Sequence, residues 1–540
     1  MLKLFYAALP LVARVALAAP TVAERCQDPE QHDVPLSSPA SSGPVASLPF
    51  GSEPLHNEPV VLETFSSQSS HPELSAPKTF DLGSDTQPPT SPLSTPWQGS
   101  PTSGPSSPSA SWWPVGNDTS SQSEARPPFS KSSNAGASDQ QGSRNRPYGK
   151  KKNVVYFTDC RSIYGAGFLP QNLPAQEITH LLYAFAGIGS DGSVISIDTW
   201  GDEQKRFGDN QSWDESASNV HGAIEQVFLL KKQHRHMKTL LSIGGWTASQ
   251  QGKFDPALSS EAGRRQFART AVELLARWGF DGIDIDYEYP LSQQESQNFV
   301  YLLRECRAAL DEYAERNGQN YHYLLTVATP AGPQHYGILD MPAMDQYVDS
   351  WHLMAYDYAG SWDNTSGNQA NVFADPHNPT STKFNSNDAV DGYLANGIDP
   401  SKIIFGLPLY GRSFMNTQGL GQPYQGLGQG SIEQGVWLYR DLPRLGSDVY
   451  INSRIIAAYC YDEATKELVS YDTVDTARWK AEYLMSRNLG GAVFWEASGD
   501  RAGEGSLILT VAREMGDLDD SSNMLDYPES SFANIKGAAY

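Results

Sequence analysis

The sequence predicts an α/β fold in which eight parallel strands, each followed by a helix, close into a barrel. The first observation is a repeated pattern of short apolar runs and longer helical stretches from residue 153 onward. The second is the spread of eight such runs over roughly 350 residues, which suits a barrel with insertions. The third is that no Gly-x-Gly-x-x-Gly sequence follows the first run, which disfavours the alternative, an open doubly wound sheet.

The candidate strands are short, apolar and bounded by turn residues. They are residues 153–158, 180–185, 238–243, 282–287, 323–328, 350–356, 402–407 and 491–495. The clearest helical stretches between them are 261–278 and 293–317. The barrel domain is therefore expected to occupy residues 153–515.

The connection between the seventh and eighth candidate strands is much longer than a single helix requires. Its part from 413 to 471 contains extra strand-like and turn-like sequence, including Ile455-Ile-Ala-Ala-Tyr-Cys-Tyr461. This predicts a small α+β insertion on the rim of the barrel at the C-terminal ends of the strands, where it would deepen an open groove.

Both ends of the chain differ in composition from the barrel. Residues 1–19 combine Lys3, an apolar run and small residues at 16–18, which is typical of a secretory signal peptide and predicts an extracellular protein. Residues 20–152 are rich in Ser, Pro, Gly, Thr and Gln and are expected to be a disordered extension. Residues 516–540 are expected to form a C-terminal tail.

The bulk charge and the cysteines limit the classes of partner. A formal net charge of −23 and a pI of about 4.8 argue against nucleic acid and against an anionic membrane surface. A monomer is expected. The four cysteines, at 26, 160, 306 and 460, match no metal motif, and at least one is expected to be a buried free thiol. Asn117, Asn210 and Asn364 begin possible glycan acceptor sequences.

The most informative motif is the run Phe280-Asp-Gly-Ile-Asp-Ile-Asp-Tyr-Glu-Tyr-Pro290. Asp284, Asp286 and Glu288 occupy every second position, so a strand here would place all three carboxylates on one face. Like charges roughly 6.5–7 Å apart resist ionising together, so at least one acid should hold a proton near neutral pH. A proton held in this way is what a general acid needs.

Two further questions about this run are the role of Asp281 and whether the clustered carboxylates bind a metal. Asp281 has the opposite parity, so we expect a structural carboxylate satisfied by the backbone or by a neighbouring helix. Clustered carboxylates could also bind a divalent metal, but no histidine lies near the run in the sequence, and a metal or other cofactor is not expected.

Five motifs resemble one enzyme family. Asp281-Gly-Ile-Asp-Ile-Asp-Tyr-Glu288 is similar to the Asp-x-x-Asp-x-Asp-x-Glu signature of glycoside hydrolase family eighteen, the chitinases. The other matching segments are Ser242-Ile-Gly-Gly-Trp246, Met354-Ala-Tyr-Asp-Tyr358, Tyr410-Gly-Arg-Ser-Phe414 and Gly490-Gly-Ala-Val-Phe-Trp-Glu496. The resemblance covers residues 153–510 in order and is closest to the fungal, insertion-bearing branch.

The resemblance implies a retaining, substrate-assisted hydrolase of β-1,4-linked N-acetylglucosamine polymers, with chitin and its oligosaccharides as partners. It implies that the substrate's own acetamido oxygen attacks the anomeric carbon while Glu288 protonates the leaving oxygen. Asp286 would hold the acetamide N–H, and Asp284 would share a proton with Asp286. Tyr356 and Asp357 would steady the acetamide.

The same resemblance implies a set of sugar-contacting residues. Trp495 would form a hydrophobic floor under the distorted sugar. The other implied contacts are Met354, Trp246, Arg412, Tyr156 and Phe185, whereas Ser242, Gly244 and Gly245 are expected to serve packing and close backbone approach. Two related alternatives stay open: a chitin-binding, lectin-like protein and an endo-β-N-acetylglucosaminidase acting on glycoprotein glycans.

Overall fold

The computed structural model describes residues 150–159, 161–207 and 218–537. The expected signal peptide and nearly all of the expected N-terminal extension lie outside this range, as do Cys26, Cys160, Asn117 and Asn210. Within the described part of the chain, no helix has both the length and the apolar character needed to cross a membrane.

Fourteen strands are found in the described residues. They are β1 Lys152–Thr158, β2 His180–Ile188, β3 Val194–Ile195, β4 Lys238–Gly244, β5 Gly282–Asp286, β6 Leu324–Pro330, β7 Ser350–Met354, β8 Ile403–Pro408, β9 Tyr410–Phe414, β10 Val436–Leu438, β11 Asp448–Asn452, β12 Ala457–Asp462, β13 Glu467–Tyr471 and β14 Gly491–Trp495.

Eight of these strands form a closed parallel barrel. Their order is β1-β14-β8-β7-β6-β5-β4-β2, and the pairing of β2 with β1 closes the ring. Each barrel strand overlaps one of the eight candidate runs, which confirms the predicted fold class. The eighth candidate run matches β14, the last strand in the chain.

The helices surround the barrel. They are α1 Gly222–Gln233, α2 Trp246–Gln250, α3 Asp255–Leu258, α4 Glu261–Trp278, α5 Gln293–Arg316, α6 Pro333–Tyr336, α7 Met341–Met344, α8 Ser386–Ala395, α9 Val474–Ser486, α10 Leu507–Met515 and α11 Ala533–Lys536. Ser260 and Ser292 cap the two long helices α4 and α5 by accepting a backbone N–H with their side chains, and the left-handed Gly279 ends α4.

Alternation along the strands separates two apolar layers. Ile283 and Ile285 of β5 point outward and join the large core between barrel and helices. A second cluster fills the lumen with residues of alternating positions, including Val154, Leu182, Leu240, Ile404 and Val493. The lumen of the barrel is therefore filled with side chains, and a site can form only at the C-terminal ends of the strands.

The insertion between β8 and β14 is an antiparallel sheet in the order β10-β9-β13-β12-β11. It begins at Tyr410, three residues before the predicted start, and ends at Tyr471. The expected helical part is not found in residues 409–472, all of which the structure describes; the segment forms only the 3₁₀ turn Tyr439–Asp441 besides its strands. Its many glycines disfavour a helix, which explains the difference.

Residues 516–537, expected as a tail, lie against the end of the barrel opposite the insertion. The backbone of Lys151 exchanges hydrogen bonds with Asp517 and Asp519, and Lys238 Nζ lies 3.2 Å from an Asp519 oxygen. Asn523 donates its side-chain amide to three carbonyls around the end of α1, including that of Lys231 at 2.9 Å. This segment is thus part of the fold.

Asp281 is the centre of this contact region. It is completely buried and its oxygens accept from Thr239 N at 2.8 Å, Tyr321 Oη at 2.9 Å and Met524 N at 2.8 Å. The fully buried Lys231 Nζ lies 2.8 Å from Asp281 Oδ2. The parity argument is confirmed, because Asp281 faces away from the lumen and is satisfied by the backbone and by α1.

The described cysteines are free and buried. Cys306 lies in α5 and Cys460 in β12. Burial raises the pKa of both thiols, so they are unreactive core residues. This confirms the expectation of at least one buried free thiol.

Candidate active site

The three acids of the central motif are arranged by depth at the C-terminal end of the barrel. Asp284 lies inside β5 and is completely buried, and Asp286, the last residue of the strand, is 4% exposed. Glu288 follows the end of the strand and is partly exposed. The strand therefore ends one residue earlier than predicted, and Glu288 lies at the mouth.

Asp284 is surrounded by donors from four other barrel strands. Its Oδ2 accepts from Tyr156 Oη at 3.0 Å and from Ser242 Oγ at 2.7 Å. Its Oδ1 accepts from Thr326 Oγ1 at 2.7 Å and lies 3.1 Å from His352 Nδ1. Burial alone would raise the Asp284 pKa, but the histidine and the two hydroxyls outweigh burial and hold it below its ordinary value. These contacts therefore favour the ionised form of Asp284.

Burial raises the pKa of both Asp286 and Glu288. Burial, followed by the nearby charges of Glu288 and Asp284, raises the pKa of Asp286 well above its usual range. Burial raises the pKa of Glu288 to about 7, while hydrogen bonds from Tyr289 and from Asp286 act in the opposite direction. These shifts agree with the expectation that at least one acid holds a proton near neutral pH, which stays a prediction. Asp286 Oδ1 is buried and has no hydrogen-bond partner within the described residues.

Asp357 is the other carboxylate near Glu288, and it is fully engaged. Its two oxygens accept from Arg412 Nε and Nη2, both at 2.7 Å, and Tyr410 Oη donates to Oδ1 at 2.6 Å. Such a bidentate pair fixes the carboxylate in one orientation. Tyr356, the preceding residue, is buried against Tyr410 with ring centroids 6.2 Å apart.

Trp495 lies at the centre of an aromatic floor. Its ring stacks on Phe185 with centroids 5.7 Å apart and an interplanar angle of 27°, and it meets Tyr156 edge-on at 5.1 Å. Met354 packs with Trp495 against the cluster that contains Tyr356. The exposed face of this aromatic cluster lies beside the acids, because Tyr156 also donates to Asp284.

Two tryptophans are exposed at the rim of the groove. Trp246, at the start of α2, is 57% exposed, and Trp362, in the loop after β7, is 58% exposed. The guanidinium of Arg412 lies over the Trp362 ring, 4.8 Å from its centroid. Trp362 was not singled out in the sequence, although it follows the Met354-to-Tyr358 motif by four residues.

Gly244 and Gly245 let the backbone approach Asp286. Both have positive φ, and Gly245 N donates to Asp286 O at 2.9 Å. A Cβ on Gly244 would lie 2.6 Å from that carbonyl oxygen, and one on Gly245 would lie 2.8 Å from the Phe185 ring. The expected role of both glycines in close approach is confirmed.

Three polar contacts escaped the sequence analysis. Ser242 was expected to serve packing but donates to Asp284, and His352 contacts the acid row although no histidine is near it in the sequence. Strand register could have found Ser242 and Thr326, because both pair directly with Asp284 across neighbouring parallel strands. Within residues 150–537, leaving aside the gaps in the description, no group of three or more histidines, cysteines and acids could hold a metal ion.

A parallel barrel with carboxylates ordered by depth beside aromatic residues at the C-terminal ends of its strands is an arrangement that suits a glycoside hydrolase. The family model described as Glycosyl hydrolases family 18 matches residues 152–500. The chain belongs to this family.

Named relatives and solved structures agree with this assignment. The chain is 46% identical over 384 residues to Chitinase 1 of Aphanocladium album and 45% identical to Endochitinase 1 of Metarhizium robertsii, in each case covering 71% of this chain and 90% of the relative. The catalytic domain of psychrophilic chitinase B from Arthrobacter TAD20 superposes with a TM-score of 0.63 at 28% identity, covering 69% of this chain and 98% of that one.

Proposed function

We propose that this protein is a chitinase that hydrolyses β-1,4-linked N-acetylglucosamine polymers with retention of configuration. The observation that carries the proposal is the Asp284–Asp286–Glu288 row at the C-terminal end of the barrel, which runs from the completely buried Asp284 to the partly exposed Glu288. Burial raises the pKa of Glu288 to about 7. The names of the fungal relatives support chitin as the substrate.

The state of Asp357 supports a substrate-assisted mechanism. Retaining glycosidases usually need a second carboxylate as nucleophile. Asp357 is the nearby acid, but Arg412 and Tyr410 hold both its oxygens. As the family resemblance implies, the nucleophile is the carbonyl oxygen of the substrate's 2-acetamido group, which limits substrates to N-acetylated sugars.

The reaction follows from the positions of the acids. The acetamido oxygen bonds to the anomeric carbon as the glycosidic C–O bond breaks, and Glu288 gives its proton to the leaving oxygen. Asp286 turns its unpartnered oxygen to the acetamide N–H and so steadies the oxazolinium ring, beside the Tyr356 hydroxyl and Asp357. Glu288 then removes a proton from water, which attacks the anomeric carbon and restores the acetamido group.

The aromatic floor and the rim of the groove supply the substrate contacts. Trp495, with Phe185, Tyr156 and Met354 packed around it, supports the reacting sugar. Trp246 stacks on a neighbouring sugar at the rim, with Trp362 and Arg412 forming a second contact there. A plant class V chitinase in complex with NAG4 shares the fold at a TM-score of 0.57 and 25% identity, covering 68% of this chain and 99% of that one.

The test of the proposal is a time course of products from a defined chitin hexamer, with anomer analysis. Release of short oligosaccharides that first appear as the β-anomer supports a retaining chitinase. Binding without cleavage would indicate the lectin-like alternative. Cleavage confined to glycoprotein glycans would indicate the endo-β-N-acetylglucosaminidase.

Activity is expected to fall as the pH rises through about 7. Glu288 must carry a proton to act as an acid, and its pKa of about 7 means that the proton is present below this pH and lost above it. The alkaline limb of the pH profile of kcat/KM measures this fall in activity. An alkaline limb with its midpoint several pH units higher would contradict the assignment of Glu288 as the acid.

The substitution His352→Asn is expected to move the acidic limb of the same profile to higher pH. His352 helps hold the Asp284 pKa low, so its loss raises that pKa and protonates Asp284 earlier as the pH falls. The alkaline limb, which belongs to Glu288, should stay in place. A parallel shift of both limbs would count against a specific effect on Asp284.

We also propose that the protein is secreted as a monomer and that residues 20–149 are dispensable for chemistry. Lys151 and Lys152 belong to the barrel, since Lys152 begins β1 and pairs with Gly491. A chain starting at Lys150 is therefore expected to hydrolyse the hexamer with kcat/KM within about twofold of the full chain. A loss as large as that of a Glu288 variant would show that the extension contributes to the site.

A further inference from the structure

Glu288 lies just past the point where the barrel sheet stops holding β5. The pairing of β5 with β4 ends at Gly244 and Asp286. The pairing of β5 with β6 ends one residue earlier, at Ile285 and Val327. Parallel strands keep their register through the backbone hydrogen bonds of such pairs. The backbone of the proposed acid therefore needs other partners to stay in one place.

Two side chains of the short helix α2 supply these partners. Glu288 N donates to Ser249 Oγ at 2.9 Å, and Gln250 Nε2 donates to Glu288 O at 3.0 Å. Just before the helix, Gly245 N donates to Asp286 O at 2.9 Å. Contacts from one segment thus continue past the end of the β4–β5 pairing. Ser249 and Gln250 together form what we term the α2 clamp.

The Ser249 hydroxyl is oriented by a second hydrogen bond. Its Oγ donates to Gly245 O at 2.9 Å. A hydroxyl has one hydrogen and two lone pairs, so this bond uses the hydrogen and leaves a lone pair for the Glu288 N–H. The serine therefore bridges the turn after β4 to the backbone of the acid, and alanine at this position would lose both bonds.

The residue after Glu288 also contacts α2. The ring of Tyr289 meets Trp246 edge-on with centroids 6.4 Å apart, and its centroid lies 4.5 Å from that of His335 at an interplanar angle of 33°. Trp246 is the first residue of α2, and His335 lies in α6. Helix α2 therefore touches the segment of the acid through its first residue as well as through its last two.

The location of the α2 clamp suits a role in catalysis more than one in folding. Ser249 is partly exposed and Gln250 is exposed, so neither side chain belongs to the apolar core. Proton transfer needs the donor within hydrogen-bond reach of the leaving oxygen. A misplacement of about 1 Å can cost about 100-fold in rate, so contacts that fix the backbone of Glu288 bear directly on turnover.

We propose that Ser249 is a positioning residue for the proton donor and acts, together with Gln250, through the backbone of Glu288. The α2 clamp fixes this backbone and thereby the approach of the Glu288 carboxyl group to the leaving oxygen. Because Trp246 begins the same helix, the acid is also fixed relative to the sugar that stacks on Trp246. This inference rests on the proposed chitinase function, in which Glu288 gives its proton to the leaving oxygen.

The variants Ser249→Ala, Ser249→Thr and Gln250→Ala test this role in the full chain, with Thr270→Val as the matched control. Thr270 Oγ1 donates to Gln266 O at 2.8 Å and accepts from Val194 N at 2.8 Å. It therefore forms the same kind of bridge, but between α4 and β3 and without contact to the acid row. Removing that hydroxyl should leave kcat/KM unchanged.

Two substrates separate acid catalysis from other effects. A chitin hexamer needs a proton on its leaving oxygen, whereas the dinitrophenyl glycoside of diacetylchitobiose releases a phenolate that leaves without one. In Ser249→Ala, kcat/KM is expected to fall about tenfold for the hexamer, mainly through kcat, and to stay within about twofold for the dinitrophenyl glycoside. Ser249→Thr keeps the hydroxyl and should recover most of the hexamer activity. Gln250→Ala should show the same selectivity with a smaller loss.

The comparison of the two substrates decides the outcome. Equal losses of kcat/KM for both substrates would overturn the proposal, because a general disturbance of the groove affects both alike. Unchanged hexamer activity in Ser249→Ala and Gln250→Ala would overturn it too, as would a loss in Ser249→Thr as large as that in Ser249→Ala. If Ser249→Ala does not fold, the exposed Gln250 still provides the test. Absence of hexamer cleavage by the wild type would instead contradict the proposed function.

Discussion

Replacing Glu288 with Gln is expected to lower kcat for a chitin hexamer by about 10²–10⁴-fold while the oligosaccharide still binds. Glu288 is the acid nearest the mouth, and its pKa of about 7 lets it hold a proton below neutrality. The amide keeps the size and the hydrogen-bonding shape of the acid but has no proton to give. The loss should therefore appear in kcat and leave the affinity nearly unchanged.

The measurement pairs turnover with binding on the same sample. Glu312→Gln, on the exposed side of α5, is the matched control and should behave as wild type. Isothermal titration of the hexamer into Glu288→Gln, which turns it over too slowly to interfere, should give a dissociation constant close to the KM of the wild type. Retained turnover in Glu288→Gln would remove Glu288 from the acid role, and lost binding would mean that the change disturbs the groove.

In the central run, the sequence predicts which face each acid occupies but not which acid is ionised. Alternation placed Asp284, Asp286 and Glu288 on the lumen side and Asp281 on the outer side, because side chains along a strand point to opposite faces in turn. What alternation cannot supply is which acid stays ionised. That depends on Thr326 and His352, which belong to strands 42 and 68 residues away along the chain.

The pairing of Arg412 with Asp357 is a second feature that the sequence did not provide. The two residues are 55 positions apart, and one lies in the insertion. Their contact depends on how the insertion sheet sits on the loop after β7, which no local pattern encodes. Yet this contact holds both Asp357 oxygens and is one of the observations that support the proposed substrate-assisted mechanism.

Composition gave wrong predictions for the insertion and for the C-terminal segment. Turn-rich sequence between β8 and β14 suggested a mixed α+β unit, but the strands pair with each other into one sheet. The polar residues after 516 suggested a tail, yet Asn523 and Tyr527 bond to backbone groups at the end of α1 and before β5. A few buried polar contacts fix such a segment, and they leave no periodic signal.

The substitution Asp281→Ala is expected to lower the free energy of unfolding by about 3–5 kcal/mol. Asp281 and Lys231 are both completely buried, and their atoms lie 2.8 Å apart. Burial lowers the Lys231 pKa to about 8 even with the carboxylate present. Without Asp281, the ammonium keeps the cost of burial and loses its counter-charge, and Thr239 N and Met524 N lose their acceptor.

Chemical denaturation at pH 7 measures the loss, and the double variant Lys231→Met with Asp281→Asn is the matched comparison. Replacing both charges removes the unpaired ammonium, so the double variant should be more stable than Asp281→Ala. Raising the pH from 7 to 9 should increase the free energy of unfolding of Asp281→Ala more than that of the wild type, because a neutral Lys231 has no charge to compensate. Since Asp281 faces away from the acid row, kcat of the folded fraction should match wild type. A loss below about 1 kcal/mol would mean that water or a rearranged C-terminal segment replaces the carboxylate.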